Sequence, residues 1–291
     1  MRDEGKKNRS RASFIPHPSS LIPPKRRFGQ NFLADERVVE RIVREVSPRR
    51  DETIVEIGPG RGALTSRLID QAGRLVAIEL DRDLVPLLQE KFGGCENFAL
   101  VEADALTVDL CETISPSKQA RVVANLPYYI STAILQRLIE QRACLTEMIL
   151  MLQREVVERI TAPPAASERG FLSVLVEAYC ETATLFDVAP TAFRPVPKVW
   201  SSVVRLRLRP RIAVEVSDEH LLWRIVSAGF AQRRKTIFNN LRHSPPDLLA
   251  RIEKAGGADR ALKNAGIEAR CRAEVLTLEE WGKLTRALDA I

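Results

Sequence analysis

The sequence predicts an α/β protein: a doubly wound, mostly parallel sheet with an antiparallel hairpin at its edge, then a small all-α domain. Three observations carry that expectation. Between residues 53 and 152, short runs rich in Val, Ile and Leu alternate with amphipathic stretches, the rhythm of strand and crossover helix. A glycine-rich turn, Gly58-Pro59-Gly60-Arg61-Gly62, follows the first of these runs, and open sheets receive ligands at such strand ends. From Ser217 onward strand signals stop and only short helical patterns remain.

Bulk properties narrow the class. A chain of 291 residues holds one large or two modest domains with ample core. No apolar run approaches the roughly 20 residues of a membrane span, so no membrane association is expected. The five cysteines (95, 111, 144, 180, 271) are scattered and lack C-x-x-C spacing. They predict reduced thiols in a cytoplasm rather than a disulfide or zinc framework. The three histidines, at 17, 220 and 243, suggest no metal cluster. Net charge is +6, and residues 1–30, with eight Lys/Arg against two acids, account for all of it. Two further windows are acid-free: Val188 to Val214 with six basic residues, and His220 to Pro246 with five. Such windows on a neutral body predict a face for a polyanion.

Taken in order, residues 1–24 mix Lys, Arg, Ser and Pro and are expected to be a disordered basic tail without a role of its own. The tail has no long apolar core, so a secretory signal is not expected. Patterned sequence begins at Lys25-Arg26-Arg27-Phe28-Gly29-Gln30-Asn31-Phe32-Leu33, a basic, glycine-hinged arm able to dock or to close over a ligand. Asp35 is the predicted N-cap of a helix burying Val38, Val39, Ile42, Val43 and Val46, and Pro48 marks its end. A strand at 53–57, the glycine turn, and a helix to about residue 72 come next. Strand 75–80, helix 82–92 and strand 98–102 follow, the last ending in Ala103-Asp104-Ala105. Strand 121–125, helix 131–141, strand 147–152 and a helix to about 161 complete the alternation. Beyond a Pro/Ala/Ser loop at 163–167, a strand is expected within 182–189. Residues 193–201 are too proline-rich for regular structure. Val204, Leu206 and Leu208 alternate with Arg205, Arg207 and Arg209, a strand whose arginines read as a solvated face. The domain boundary falls at 212–216, between a domain of residues 25–212 and a helical one of 217–291.

The chemistry concentrates at strand ends. Val122-Val123-Ala124 runs into Asn125-Leu126-Pro127-Tyr128, delivering an amide, a carbonyl that no following N–H can claim, and an aromatic face to one point. The glycine turn departs from the dinucleotide spacing, and Glu56 stands two residues before it, an odd neighbour for a pyrophosphate but a sensible one for a cation. Glu79, about 20 residues on, suits ribose hydroxyls. Asp104 is placed to accept from an adenine amino group. Adenine, ribose and positive charge together describe S-adenosylmethionine, and exclude NAD.

These motifs, with Phe193-x-Pro-x-Pro-x-Val199 and Gln232-Arg233-Arg234-Lys235-Thr236, resemble those of the ribosomal RNA adenine dimethyltransferase family, specifically its small-subunit branch. The resemblance runs from about Lys25 to Leu284. It implies a class I S-adenosylmethionine-dependent methyltransferase fold with a helical C-terminal domain for RNA or ribosome binding. It further implies that Asn31, Leu33, Gly58, Glu79, Asp104 and Asn125 contact the donor, with no metal. The substrate implied is 16S rRNA in the immature 30S subunit, dimethylated at N6 of two adjacent adenines in its 3′-terminal hairpin loop by a monomeric enzyme. Lys25, Arg26, Arg27, Arg233, Arg234 and Lys235 are the expected RNA contacts. For catalysis, the Asn125 side-chain oxygen and the Leu126 carbonyl would accept the two N6 hydrogens, with Pro127 keeping that carbonyl free. Tyr128 would stack on the extruded base and Phe193 on its other face. Two departures from the family pattern, Arg169 and Phe171, are expected to bear on substrate positioning. The rivals are a 23S rRNA dimethyltransferase of the resistance type, whose members tend to have Ile in place of Leu126, and a non-catalytic ribosome-assembly factor.

Overall fold

The computed structural model describes Pro23 and residues 30–289. The tail and the arm residues Lys25, Arg26 and Arg27 lie outside the described residues. The alternation begins with β1 (Phe32–Leu33), α1 (Glu36–Val46), β2 (Thr53–Ile57), α2 (Thr65–Leu68), β3 (Arg74–Glu79) and α3 (Val85–Phe92). It continues with β4 (Phe98–Glu102), α4 (Leu110–Thr113), β5 (Ala120–Asn125), α5 (Ser131–Glu140), β6 (Leu145–Gln153), α6 (Arg154–Ile160) and α7 (Phe171–Tyr179). After β7 (Cys180–Val188), β8 (Phe193–Arg194) and β9 (Ser201–Leu208), the chain is helical: α8 (Glu219–Gly229), α9 (Ile237–Arg242), α10 (Pro246–Lys254), α11 (Ala258–Asn264) and α12 (Leu278–Asp289).

Seven strands form one sheet in the order β4-β3-β2-β5-β6-β9-β7. The five strands from β4 to β6 are parallel, while β9 runs antiparallel to both β6 and β7. The predicted doubly wound sheet with an antiparallel edge is thus present. Alternating side chains feed two cores. Val55, Ile57, Val76, Ile78, Val122 and Ala124 face one, and Ile54, Leu75 and Val123 face the other, against α1 and α2. The first core continues through α7 into the C-terminal helices, reaching Leu221, Leu222 and Trp281. Asp35 caps α1 as expected, its carboxylate accepting from the Arg37 N–H at 2.9 Å.

Several expectations need correction. The segment at 193–201 is not wholly irregular: Phe193 and Arg194 pair with Leu33 and Phe32, clasping the arm to the proline-rich loop. Helix α7 has no counterpart in the sequence reading. The alternating arginines of β9, and Arg209 just beyond it, are ion-paired, with Arg207 mostly exposed and Arg205 and Arg209 partly buried. Arg205 bonds the Glu45 carbonyl at 2.7 Å and its carboxylate at 3.1 Å, Arg207 reaches Glu147 at 3.0 Å, and Arg209 reaches Glu181 at 3.0 Å. The thiols are not all free, because Cys111 and Cys144 are joined in a disulfide between α4 and the turn before β6.

Candidate functional site

Because β2, β3, β4 and β5 run parallel, their carboxyl ends open side by side. There Gly58, Glu79, Asp104 and Asn125 line one cleft, with Asn31 and Phe32 of the arm on one side and Leu126, Pro127 and Tyr128 on another. The cleft encloses about 810 Å³ of empty space, part of it open to solvent. Gly58, Gly60 and Gly62 have φ of 67°, 60° and 84°, the left-handed region that glycine alone adopts without strain. At Gly60 a side chain would also meet Phe32, since a Cβ there would stand 3.1 Å from the ring. The glycine turn therefore serves two ends: it reverses the chain and lets the arm's aromatic ring lie against the backbone. The Arg61 guanidinium covers that ring from 4.4 Å.

Burial holds two acids at this edge, Glu79 in the cleft and Glu56 beneath it, towards their neutral forms. Glu79 accepts from the Gly60 N–H at 3.1 Å and the Asp81 N–H at 2.8 Å, and burial raises its pKa above the ordinary carboxylate value against those hydrogen bonds. Glu56 lies beneath the glycine turn, bordering a smaller hollow it shares with Leu33 and Asn125. Its burial pushes its pKa up to about 7, although the Thr65 hydroxyl donates to it at 2.7 Å. Asp104 uses one oxygen to hold its own turn, accepting from the Leu106 N–H at 2.9 Å. Among the described residues no Lys or Arg forms an ion pair with Glu56, Glu79 or Asp104. Four strand ends thus offer acceptors and negative charge to a ligand bearing donors and positive charge.

At the end of β5 the polar groups are sorted. The Asn125 Nδ2 donates to the Asn31 carbonyl at 3.1 Å, which fixes the amide and leaves Oδ1 as an acceptor. Leu126 is buried and its N–H donates to Met151 at 3.2 Å. The Pro127 carbonyl takes the Ile130 N–H at 3.3 Å, and among the described residues no donor reaches the Leu126 carbonyl. Tyr128 is oriented by a 2.7 Å hydrogen bond between its hydroxyl and that of Ser201 in β9, and burial raises its pKa.

Not every expected residue joins the cleft. Leu33 lines the smaller hollow, and its backbone pairs with Phe193. Phe193 is 0% exposed in the core beside α1 and is not among the residues that line the cleft. Arg169, at 1% exposure, is bound to the Ala162 carbonyl at 2.9 Å and to Glu177, while Phe171 packs edge-on against Trp223 at 5.9 Å. Neither lines the cleft. Arg233, Arg234 and Lys235 stand exposed on the loop between α8 and α9, away from the cleft lining. That loop is shaped by buried Asn240, whose Nδ2 donates to the Gly229 and Gln232 carbonyls at 2.5 and 3.2 Å. Sequence reasoning passed over Gln30, which donates to buried Asp81 at 2.8 Å and so ties the arm to the end of β3. The Asp that directly follows Glu79-Leu80 was a visible signal for that tie. Among the described residues no group of three or more His, Cys, Asp or Glu is placed to hold a metal ion, and no helix is long and apolar enough to cross a membrane.

A family model described as "Ribosomal RNA adenine dimethylase" matches residues 23–280. The "Ribosomal RNA small subunit methyltransferase A" of Hahella chejuensis is 41% identical over 260 residues, covering 89% of this chain and 91% of that protein. The protein of the same name from Clostridium botulinum is 40% identical over 257 residues, 88% of this chain and 91% of its own. Among solved structures, the 23S rRNA methyltransferase ErmE superposes with a TM-score of 0.66 at 28% identity, covering 89% of this chain and all of that one. A dimethyladenosine transferase from Plasmodium falciparum gives a TM-score of 0.72 at 22% identity over 87% of this chain and 95% of that one, a likeness of fold.

Proposed function

The chain belongs to the ribosomal RNA adenine dimethylase family, and from that premise we propose how its cleft methylates N6 of adenine in small-subunit ribosomal RNA with S-adenosylmethionine as donor. The carrying observation is the fixed Asn125 amide, whose Oδ1 is left as an acceptor beside a cleft lined by Glu79 and Asp104, neither of them ion-paired among the described residues. When bound, the donor supplies an electrophilic methyl on a sulfonium. Gly58, Glu79 and Asp104 are the residues suited to hold its backbone-facing, ribose and adenine parts, with Asn31 and Asn125 closing over it and Leu33 beneath the arm. Glu56 and Glu79 add negative charge where the donor carries positive.

The amino nitrogen of adenine is a weak nucleophile because its lone pair is delocalised into the ring. In the first transfer, accepting its two hydrogens at Asn125 Oδ1 and the Leu126 carbonyl draws the nitrogen towards a tetrahedral form with its lone pair free. In the second, one of the two acceptors holds the single remaining hydrogen, and after each transfer the methylated nitrogen gives up one proton to water. Pro127 has no N–H to compete for that carbonyl. Tyr128, held by Ser201, offers the extruded base a stacking face. Rate enhancement on this reading comes from alignment rather than from a strong base.

The finer assignment is two adjacent adenines in the 3′-terminal hairpin loop of 16S rRNA, in the immature 30S subunit of the cytoplasm, with the enzyme acting as a monomer. It is supported by the 41% and 40% identity, over 91% of their length, to two small-subunit enzymes. On this reading residues 25–212 form the methyltransferase domain. Residues 217–291 bind the particle, with Lys25, Arg26, Arg27, Arg233, Arg234 and Lys235 as phosphate contacts. The test is methylation of undermethylated 30S particles followed by mass spectrometry of the nucleosides and their positions. N6,N6-dimethyladenine in 16S rRNA is expected, and methylation confined to 23S rRNA would refute the assignment. Asn125→Ala should cut turnover by about 100-fold while particle binding persists.

A further inference from the structure

Among the described residues six large apolar side chains stand exposed, and four of them are Tyr129 (57%), Val196 (54%), Trp200 (46%) and Val199 (42%). They belong to two segments far apart in sequence that meet at one place. Tyr129 follows the residue whose hydroxyl bonds Ser201 at 2.7 Å, and Trp200 precedes Ser201. The backbone on both sides is fixed: the Trp200 carbonyl accepts from the Arg154 N–H at 3.0 Å, and the Ile130 N–H closes the turn at Pro127. Since β9 is antiparallel to β6, with Ser201 opposite Gln153, the start of β9 lies at the same sheet edge as Asn125. Tyr129 lines the cleft and Trp200 does not.

Apolar surface at the rim of a cleft has a cost in water unless something covers it. The surroundings say what kind of cover fits. Lys198 is exposed between Val196 and Val199, and Arg194 is exposed two residues before Val196, with one guanidinium nitrogen on the Thr191 and Phe193 carbonyls at 3.0 and 2.8 Å. The window from Val188 to Val214 contains no acid to repel phosphate. Aromatic rings interleaved with basic side chains match single-stranded nucleic acid, whose bases stack and whose phosphates pair with cations. Ordinary helical RNA keeps its bases stacked on one another, so rings at this rim meet bases only where the strand is open.

We propose that Tyr129 and Trp200 form a stacking rim for the nucleotides that flank the target base in a single-stranded RNA loop, with Lys198 and Arg194 on their phosphates. The rim borders the methyl-transfer cleft, with Tyr129 at its lip and Trp200 outside it, and holds the strand while one base is drawn in. This rests on the proposed RNA substrate and deepens it, because it names the strand conformation the site takes.

The chain carries its own reporter. Of its three tryptophans, Trp281 is fully buried and Trp223 is packed against Phe171 and Tyr179, which leaves Trp200 open to a stacking base. Oligoadenylate added to the full chain should quench tryptophan fluorescence. Trp200→Phe should abolish the quench yet keep oligoadenylate affinity within about twofold, since a ring remains. Trp200→Ala should weaken that affinity roughly tenfold and raise KM for 30S particles similarly, with S-adenosylmethionine affinity unchanged. Absence of a quench in the parent chain, a quench that survives Trp200→Phe, or unchanged affinity in Trp200→Ala overturns the proposal. So does loss of particle binding with oligoadenylate binding intact, which would make this face a contact for a ribosomal protein. Quenching needs no methyl transfer. A chain that bound oligoadenylate through Trp200 and methylated no RNA would therefore refute the proposed activity and uphold the rim.

Discussion

The two ends of one sheet handle charge in opposite ways. At the amino edge, Glu147 takes Arg121 at 2.7 Å, Arg207 at 3.0 Å and Arg205 at 3.6 Å, while Glu52 takes Arg121 at 2.9 Å. At the carboxyl edge, Glu56, Glu79 and Asp104 accept only from hydroxyl and backbone N–H groups and have no described cation. Glu56 and Glu79 at the carboxyl edge are buried and Glu52 and Glu147 at the amino edge nearly so, and the difference lies in the partners. Charge at the amino edge is neutralised within the fold and serves to hold strands and α1 together. On the proposed function, charge at the carboxyl edge is kept for a donor that brings its own positive charge, at some cost in stability from burying Glu56 and Glu79 without a counterion among the described residues.

The largest effect that separates the two ends is Glu147→Ala. It removes one carboxylate from three guanidinium groups, of which Arg121 keeps Glu52 and Arg205 keeps Glu45, and should lower unfolding free energy by about 2 kcal/mol in a denaturant titration. Arg207 is mostly exposed and adds little to that figure. Calorimetric affinity for S-adenosylmethionine should stay as it was, and a parallel loss would mean the two edges are coupled. Glu79→Gln should do the reverse. Relief of a buried charge is offset by an amide N–H₂ facing either the Gly60 or the Asp81 N–H, so the melting temperature should move little. Donor affinity should fall by roughly tenfold or more, as expected for losing a charged hydrogen-bond acceptor.

The same contrast explains what the sequence made legible. Strand ends that gather Glu56, Glu79, Asp104 and Asn125 are local signals, each a polar residue terminating an apolar run, and the edge hairpin showed as strict alternation in β9. The amino-edge lattice was hidden because its partners are distant in the chain: Arg205 finds Glu45 160 residues away, and Arg207 finds Glu147 at 60. Helix α7 was hidden because Phe171-Leu-Ser-Val-Leu-Val is apolar nearly all round, and a helix buried on most sides loses the periodicity that betrays one. The burial of Phe193 depends on its pairing with Leu33, and the Cys111–Cys144 link on α4 meeting the turn before β6. Neither proximity is written in spacing.

The finest probe of the comparison is pH. Burial lifts Glu56 from its ordinary 4.5 to about 7, so the folded, donor-free chain keeps a proton that the unfolded chain has already lost between those values. Stability contributed by that proton is therefore present below about 4.5 and is lost as pH rises through about 7. A bound sulfonium or ammonium favours the ionised carboxylate and draws its pKa back down, so binding below pH 7 must release a proton. Donor affinity should then tighten as pH rises from 6 to 8, by several-fold and at most about tenfold. Titrations in buffers of different ionisation enthalpy should show the proton leaving at pH 6 and hardly at all at pH 8. The donor's own amino group titrates in this range too, so the decisive comparison is Glu56→Gln, which should remove the carboxylate's share and flatten the dependence. Proton release undiminished in Glu56→Gln would place the titrating group elsewhere and leave the buried acid under the glycine turn a structural one. At the amino edge Glu147→Gln should leave the dependence untouched, because its charge is already spent on arginine.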